Sequence, residues 1–477
     1  MFGCFYRNEL ENKMPGMTLD HIAAACGGTY VGEESLREKE ITGAVTDSRK
    51  VEKGMLFIPI KGARADGHDF IPQVFEKGAL AVLSEHPLDD PAGPYIQVES
   101  STEAMKKIAA FYRTQLNCKV VGITGSVGKT STKEMIASVL EQRYKVLKTE
   151  GNFNNEIGLP LTMFRIRAKH EVAVLEMGIS DFGEMHRLAT MAQPDIGVIT
   201  NIGLCHLENL GTRDGILQAK TEMFEHLKPD GIAILNGDDD KLCTKKEVNG
   251  KPAVFYGVGE TGELPVQKSI YATDIENHGL EGMRAKIHTP QGDFDAQIPI
   301  PGEHNVYNAL AATAVGLQLG LSLREIAQGI AAVQTIAGRS NLLHVNGMTV
   351  IDDCYNANPV SMKASIEVLA HTSGRRIAVL GDMGELGTDE KKLHREVGEA
   401  VAASGIDALF CTGTLSRELA EAASANADCQ VHYEEDRDSL TEKLLAFVKP
   451  GDTVLVKASH FMEFPKIVEA LTKEQDK

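Results

Sequence analysis

The chain holds 477 residues, too many for one ordinary hydrophobic core, and at roughly 150 residues per domain it divides into about three. It is 43% hydrophobic and 24% charged, a globular balance that excludes a mainly disordered chain. A balance of 49 basic and 67 acidic residues leaves a net charge of −18, which repels nucleic acid, and no lysine- or arginine-rich run offsets it.

The eight cysteines are scattered without a C-x-x-C pair, so they read as free thiols in a reducing compartment. No apolar stretch is long enough for a membrane span, and the residues before Met14 lack a signal-peptide core. The expected location is the cytoplasm. Met14 and Met17 both qualify as start sites.

Residues 1–116 predict a small mixed α/β domain, with 1–16 as an extension. A helical pattern at Leu19, Ile22, Ala23 and Cys26 stops at Gly27-Gly28, and short apolar pieces follow at 55–60 and 79–83. From 117 to 337 the pattern changes to buried strands (120–124, 172–175, 196–200 and 232–235) alternating with helices, and an alanine-rich helix over 308–319 follows. This is the mark of a doubly wound sheet. A second, Rossmann-like α/β alternation fills 338–477, with strands at 349–353, 377–380, 408–411 and 453–456. The fold class is therefore α/β, in three domains.

The strongest local signal is Gly122-Ile-Thr-Gly-Ser-Val-Gly-Lys-Thr-Ser. A glycine-rich turn between strand and helix aims backbone N–H groups at a phosphate, and the helix N-terminus adds partial positive charge. Lys129 then reaches the β/γ-phosphates and Thr130 binds Mg²⁺. Ile123 stands where the standard pattern has glycine. The agreement of strand, turn and helix selects phosphate binding over a tight turn with an incidental lysine. No Asn-Lys-x-Asp base-reading loop accompanies it, which excludes a GTPase switch.

Ligands in open α/β sheets sit at the carboxyl ends of strands. Glu176 and His206 occupy such ends. Each has a bland alternative, a helix cap for Glu176 and a loop histidine for His206; beside a phosphate loop both become Mg²⁺-ligand candidates. Lys220 lies on a predicted helix, where composition alone reads a solvated lysine. Asparagines gather at Asn154 and Asn155 and again at Asn356 and Asn358. Their amides suit sugar and peptide ligands, but Asn also builds turns, and Pro359 makes Asn358 a helix N-cap candidate.

Taken together, these segments resemble the Mur ligases, ATP-dependent amide-bond-forming enzymes of peptidoglycan synthesis. The shared markers are Thr124-Gly-Ser-Val-Gly-Lys-Thr, Glu176-Met-Gly and Thr200-Asn-Ile-Gly-Leu-Cys-His-Leu-Glu. Ala219-Lys-Thr-Glu, Gly302-Glu-His-Asn-Val-Tyr-Asn and Gly338-Arg continue them. Within the family, Gly151-Asn-Phe-Asn-Asn-Glu-Ile-Gly-Leu-Pro, Asp353-Cys-Tyr-Asn-Ala-Asn-Pro and Gly381-Asp-Met-Gly-Glu-Leu-Gly are similar to the branch that adds a D-alanyl-D-alanine dipeptide. Asp47-Ser-Arg and Asp66-Gly-His-Asp resemble its UDP-sugar-binding domain.

The resemblance implies ATP, UDP-N-acetylmuramoyl-tripeptide and D-alanyl-D-alanine as substrates, two Mg²⁺ ions, and a monomer. It implies ATP contacts at Gly125, Ser126, Gly128, Lys129, Thr130, Ser131, Asn305, Asn308, Arg339 and Asp353. Thr130, Glu176 and His206 become metal ligands, and Lys220 becomes carbamylated. Lys129, His206, Lys220 and Arg339 form the catalytic set. Ser48, Arg49, Asn154, Asn155, Asn356 and Asn358 become substrate contacts. Two alternatives stay open: a paralogue with another amine acceptor, and a nucleotide-binding regulatory protein without catalysis. Ala458 and His460 depart from the family's glycine and arginine near the C-terminus, and Val127 from a small or polar residue in the phosphate loop.

Overall fold

The computed structural model describes residues 14–62 and 65–473. Cys4 and the segment read for a signal-peptide core lie outside these residues, apart from Met14. Met14, at the end of the segment set apart as an extension, is fully buried like Met17, and its N–H donates to the Ile41 carbonyl, so this residue packs into the N-terminal core. Among the described residues no helix is long and apolar enough to cross a membrane.

The first helix, Leu19–Cys26, starts at a Thr18 side-chain cap and ends where Gly27 turns left-handed at φ 70°. A five-stranded sheet follows. Its edge strand Thr29–Val31 runs antiparallel to Tyr95–Gln97, and the strands Ala81–Ser84, Leu56–Phe57 and Ala44–Val45 continue in parallel. The helix Ser101–Thr114 then carries the chain onto the central sheet. Its Tyr112 hydroxyl donates to the Ile166 carbonyl at 2.6 Å, and its Arg113 pairs with Asp195 at 3.0 Å. One continuous apolar cluster spans both units, from Met14 through Ile108 to Leu188.

The central sheet has nine strands. Seven run parallel, in the spatial order Val146–Lys148, Val172–Glu176, Lys119–Thr124, Ile196–Ile199, Ile232–Asn236, Val254–Val258 and Ile270–Asn277. An antiparallel hairpin, Met283–Thr289 with Gly292–Ile298, closes one edge. The chain leaves Lys119–Thr124 toward one edge and returns on its other side as Ile196–Ile199. That reversal opens a crevice at the carboxyl ends of these strands. The long helix His304–Gln318 starts before the expected 308 and packs against the phosphate-loop helix Lys129–Leu140.

The third sheet has six strands, in the order Asn341–Val345, Met348–Asp352, Asp452–Lys457, Arg375–Gly381, Ala408–Thr412 and Gln430–Glu434. The first pair is antiparallel and the rest are parallel. Its four central strands coincide with the expected ones to within two residues. The edge strands Asn341–Val345 and Gln430–Glu434 were not expected, because they are only partly buried and lack a continuous apolar run.

Candidate functional site

The strand Lys119–Thr124 runs directly into the turn 125–128 and the helix Lys129–Leu140, whose cap Gly128 has φ 83°. The loop after Ile196–Ile199 holds that turn in shape. Thr200 donates to the Val127 carbonyl at 2.6 Å, Asn201 Oδ1 accepts from Val127 N–H at 2.9 Å, and Gly203 N–H donates to Ser126 Oγ at 2.9 Å. These bonds pin the backbone at Val127 whatever its side chain.

Gly125 lies at φ 152°, and a Cβ there would sit 1.9 Å from Thr200 Oγ1. We therefore expect Gly125→Ala to displace the loop and to weaken nucleotide binding in calorimetry by at least about tenfold, the equivalent of about 1.4 kcal/mol.

Beyond the turn lies a cavity of about 630 Å³ between the central and C-terminal sheets. Ser126, Gly128, Lys129, Thr130 and Ser131 line one wall, with Asn154, Asn155, Glu176, His206 and Asn308 beside them. Arg339, Asp353, Asn356 and Asn358 line the facing wall. Lys129 Nζ folds back to donate to the Gly125 carbonyl at 2.8 Å. Burial lowers its pKa, against the opposing pull of Glu176.

Thr130 Oγ1 lies 3.2 Å from Glu176 Oε1, which also accepts from Asn154 Nδ2 at 2.9 Å. The other carboxylate oxygen, Glu176 Oε2, is buried without a hydrogen-bond partner among the described residues. A buried, unpaired carboxylate oxygen beside a threonine hydroxyl is a hard-oxygen donor set that fits Mg²⁺. From the opposite wall, Arg339 Nη2 reaches Thr130 Oγ1 at 3.3 Å, and its guanidinium stacks 4.0 Å from the Tyr355 ring centre.

His206 adopts left-handed backbone at φ 59°, and its Nδ1 meets Glu385 Oε2 at 2.7 Å. Glu385 is itself left-handed, at φ 62°. The pair joins the central domain to the C-terminal one. Asn358 adds a second bridge, with Nδ2 3.6 Å from Cys205 Sγ.

Matches to known proteins agree along most of the chain. Residues 40–113 match the Mur ligase family catalytic domain, 123–316 the Mur ligase middle domain, and 338–460 the Mur ligase glutamate ligase domain. The UDP-N-acetylmuramoyl-tripeptide–D-alanyl-D-alanine ligase of Bacillus subtilis is 40% identical over 466 residues, covering 95% of this chain and 98% of its own. The chain belongs to the Mur ligase family.

Solved Mur ligase structures share the fold. A crystal structure of MurF from Acinetobacter baumannii superposes with a TM-score of 0.86 at 33% identity, covering 96% of this chain and 99% of that one. A MurF ligase from Thermotoga maritima in complex with ADP gives 0.79 at 31% identity, covering 91% and 97%.

Not every residue expected at the site of this Mur ligase faces the cavity. Gly125 lies behind the loop. Asn305 is buried among its own neighbours: its Nδ2 donates to the Pro301 carbonyl at 2.8 Å and its Oδ1 accepts from Asn308 at 2.8 Å. Asn308 in turn accepts from Thr132 at 2.7 Å, so this pair fixes the two long helices together. Asn155 Oδ1 receives the Gly158 N–H at 2.8 Å and starts the helix Gly158–Met163. Asn358 caps the helix Pro359–Ala370, so its turn-forming and cavity-lining readings hold at once.

Ser48 and Arg49 lie on the N-terminal domain outside this cavity. Arg49 forks onto Asp47, with both nitrogen–oxygen distances 2.9 Å, and holds that carboxyl at a pKa of about 2.

Lys220 departs from the solvated lysine that composition suggests. It is 1% exposed, and its amino group has no hydrogen-bond or ion-pair partner among the described residues. Burial, reinforced by the nearby Lys129 charge, brings its pKa down to about 7.

Asp353 was expected at the site, whereas its partner Lys457, and also Asp238 and Glu385, were not. Asp353 is buried with Lys457 at 2.6 Å and Ser365 at 2.6 Å; burial opposes its ionisation, but Lys457 and Ser365 outweigh that and keep its pKa below the ordinary value. Asp238, just past the strand Ile232–Asn236, accepts from Tyr307 at 3.1 Å and lines the cavity. The carboxyl-end rule would have found Asp238; Lys457 and Glu385 are brought in only by the fold. Because Asp353 and Lys457 are both buried, Lys457→Met should cost about 3–5 kcal/mol of stability by urea unfolding, and adding Asp353→Asn should recover part of it.

Proposed function

We propose that this Mur ligase joins D-alanyl-D-alanine to the terminal carboxylate of UDP-N-acetylmuramoyl-tripeptide at the expense of ATP. The observation that carries the reading is the Thr130–Glu176 pair, with its unpaired carboxylate oxygen, facing Arg339 across a cavity between two domains. The 40% identity to the Bacillus subtilis ligase of that name supports the choice of substrates over another amine acceptor.

A carboxylate is a poor electrophile because its oxygen leaves badly. One carboxylate oxygen of the tripeptide attacks the γ-phosphorus of ATP, the bond to the β-phosphate oxygen breaks, and ADP departs. The acyl phosphate that results carries a competent leaving group. The neutral amine of D-alanyl-D-alanine then adds to the acyl carbon, and the tetrahedral intermediate expels phosphate and loses a proton, leaving the new amide.

Transfer between anions requires compensating positive charge, and the protein's share comes from Lys129 on the loop and Arg339 from the closing domain. Ser126, Gly128 and Ser131 cradle the phosphates; Asn308 and Asp353 orient the nucleoside, with Asn305 and Gly125 supporting them from behind. Thr130 and Glu176 would hold a first Mg²⁺ and His206 a second, and bound metal would supply positive charge that neutralises the phosphates. Carbamylation of Lys220 would give the buried amine the negative charge that supports this metal site.

The N-terminal domain, residues 1–116, binds the UDP-sugar through Ser48 and Arg49, with Asn154, Asn155, Asn356 and Asn358 along the peptide channel. Residues 117–337 bind ATP, and 338–477 deliver the incoming amine. The same reading makes the enzyme cytoplasmic and monomeric.

The test is phosphate release by purified protein with ATP, Mg²⁺, UDP-N-acetylmuramoyl-tripeptide and D-alanyl-D-alanine, omitting each in turn. Release that needs all four, with a pentapeptide product by mass spectrometry, is expected. Release supported by another amine would redirect the reading to a paralogue, and nucleotide binding without turnover to a regulatory protein.

A further inference from the structure

A second cluster of ligating side chains lies outside the cavity. The helix Glu184–Ala192 presents His186, and the 3-10 segment Glu222–His226 presents Glu225 and His226. His226 Nε2 lies 3.0 Å from His186 Nδ1, and the same Nδ1 lies 3.6 Å from Glu225 Oε2. The three ligand atoms fall within 4.8 Å of one another. None of the three lines the cavity described above.

We propose that His186, Glu225 and His226 form a surface site for a borderline divalent transition metal such as Zn²⁺. Ligands about 2.1 Å from a tetrahedral ion stand about 3.3–3.5 Å apart, and the separations of 3.0 and 3.6 Å bracket that spacing. Two imidazole nitrogens and one carboxylate oxygen suit Zn²⁺, Cu²⁺ or Ni²⁺ far better than Mg²⁺ or Ca²⁺, which prefer all-oxygen shells. The partly exposed position leaves a fourth place for water.

The scaffold beneath the site is prepared. Glu222 Oε1 accepts from the Gly183 N–H at 3.1 Å and Oε2 from the His186 N–H at 3.0 Å, so one carboxylate locks the helix start to the segment that carries the other two ligands. Bound metal would therefore cross-link two elements already in register. It would clamp the segment that follows the Lys220-bearing helix Arg213–Thr221 to a helix whose first residue, Glu184, lines the cavity.

The test is Zn²⁺ titration of the chelator-treated full chain by calorimetry, with excess Mg²⁺ present to occupy oxygen-rich sites. Co²⁺ absorption serves as a second readout of tetrahedral nitrogen and oxygen ligation. Wild type should bind one equivalent that survives Mg²⁺, and Zn²⁺ should raise its Tm. His226→Ala should weaken Zn²⁺ binding by more than about tenfold, and His186→Ala/His226→Ala should lose both the equivalent and the Tm shift. His206→Ala should keep them, which separates this site from the cavity. The proposal is overturned if wild type binds no Zn²⁺ in the presence of Mg²⁺, or if the double variant retains the equivalent.

Discussion

Lys129→Ala should lose ligase turnover by at least about a hundredfold while remaining folded. Among the described residues the side chain bonds only to the loop carbonyls of Gly125 and Ser126, and the loop itself is held by Thr200, Asn201 and Gly203. Removing the amine therefore takes away positive charge at the phosphates without removing the bonds that shape the turn. Phosphate release and urea unfolding, measured on the same preparation, separate these effects. Full activity in the variant would refute the nucleotide assignment, and a large fall in stability would show that the lysine is structural. Lys129→Arg keeps the charge but not the compact ammonium, and should recover only a part.

Lys220 should give an equally large loss for a different reason. A carbamate forms when a neutral amine attacks CO₂ and releases a proton, so the amine must be deprotonated first. A lysine at its ordinary pKa of 10.5 is almost wholly protonated at neutral pH; burial brings Lys220 to about 7 and makes the neutral form abundant. Activity should depend on added bicarbonate and fall as the pH drops below 7. Lys220→Ala should be inactive and partly restored by acetate, which fits the vacated space with the same charge. Wild-type activity of that variant without any added carboxylate would sink the role.

The same shift predicts a stability effect of opposite sense. Between pH 7 and 10.5 the unfolded chain binds a proton at Lys220 that the native amine has released. Native Lys220 therefore costs stability fully below about pH 7, and the cost is relieved as the pH rises toward 10.5. In CO₂-free buffer Lys220→Met should unfold at higher urea than wild type at and below neutrality, with the difference shrinking at alkaline pH. A variant more stable yet inactive would mark a buried group kept for chemistry rather than for packing.

Much of the fold was legible because buried parallel strands are continuous apolar runs. The strands expected at 120–124, 172–175, 196–200 and 232–235 all appeared within a residue of their places. The hairpin Met283–Thr289 and Gly292–Ile298 escaped notice although Met283, Ala285 and Ile287 alternate with polar residues, because its period-two signal is weaker than a continuous run. The phosphate loop was equally legible, since its chemistry sits in consecutive residues whose strand and helix neighbours are also local.

What the sequence determined by itself was therefore everything carried by neighbouring residues: strand order of appearance, the glycine turn, Thr130 beside Lys129, and the cap at Asn358. Tertiary structure decided the rest, because burial and long-range pairing are properties of the assembled chain. It made Lys220 a buried amine rather than a surface cation and left Glu176 Oε2 unpaired. It turned Asn305 inward, and it brought Lys457 to Asp353 and Glu385 to His206 across gaps of more than a hundred residues. No local pattern encodes such meetings, since their free energy comes from removing both partners from water together.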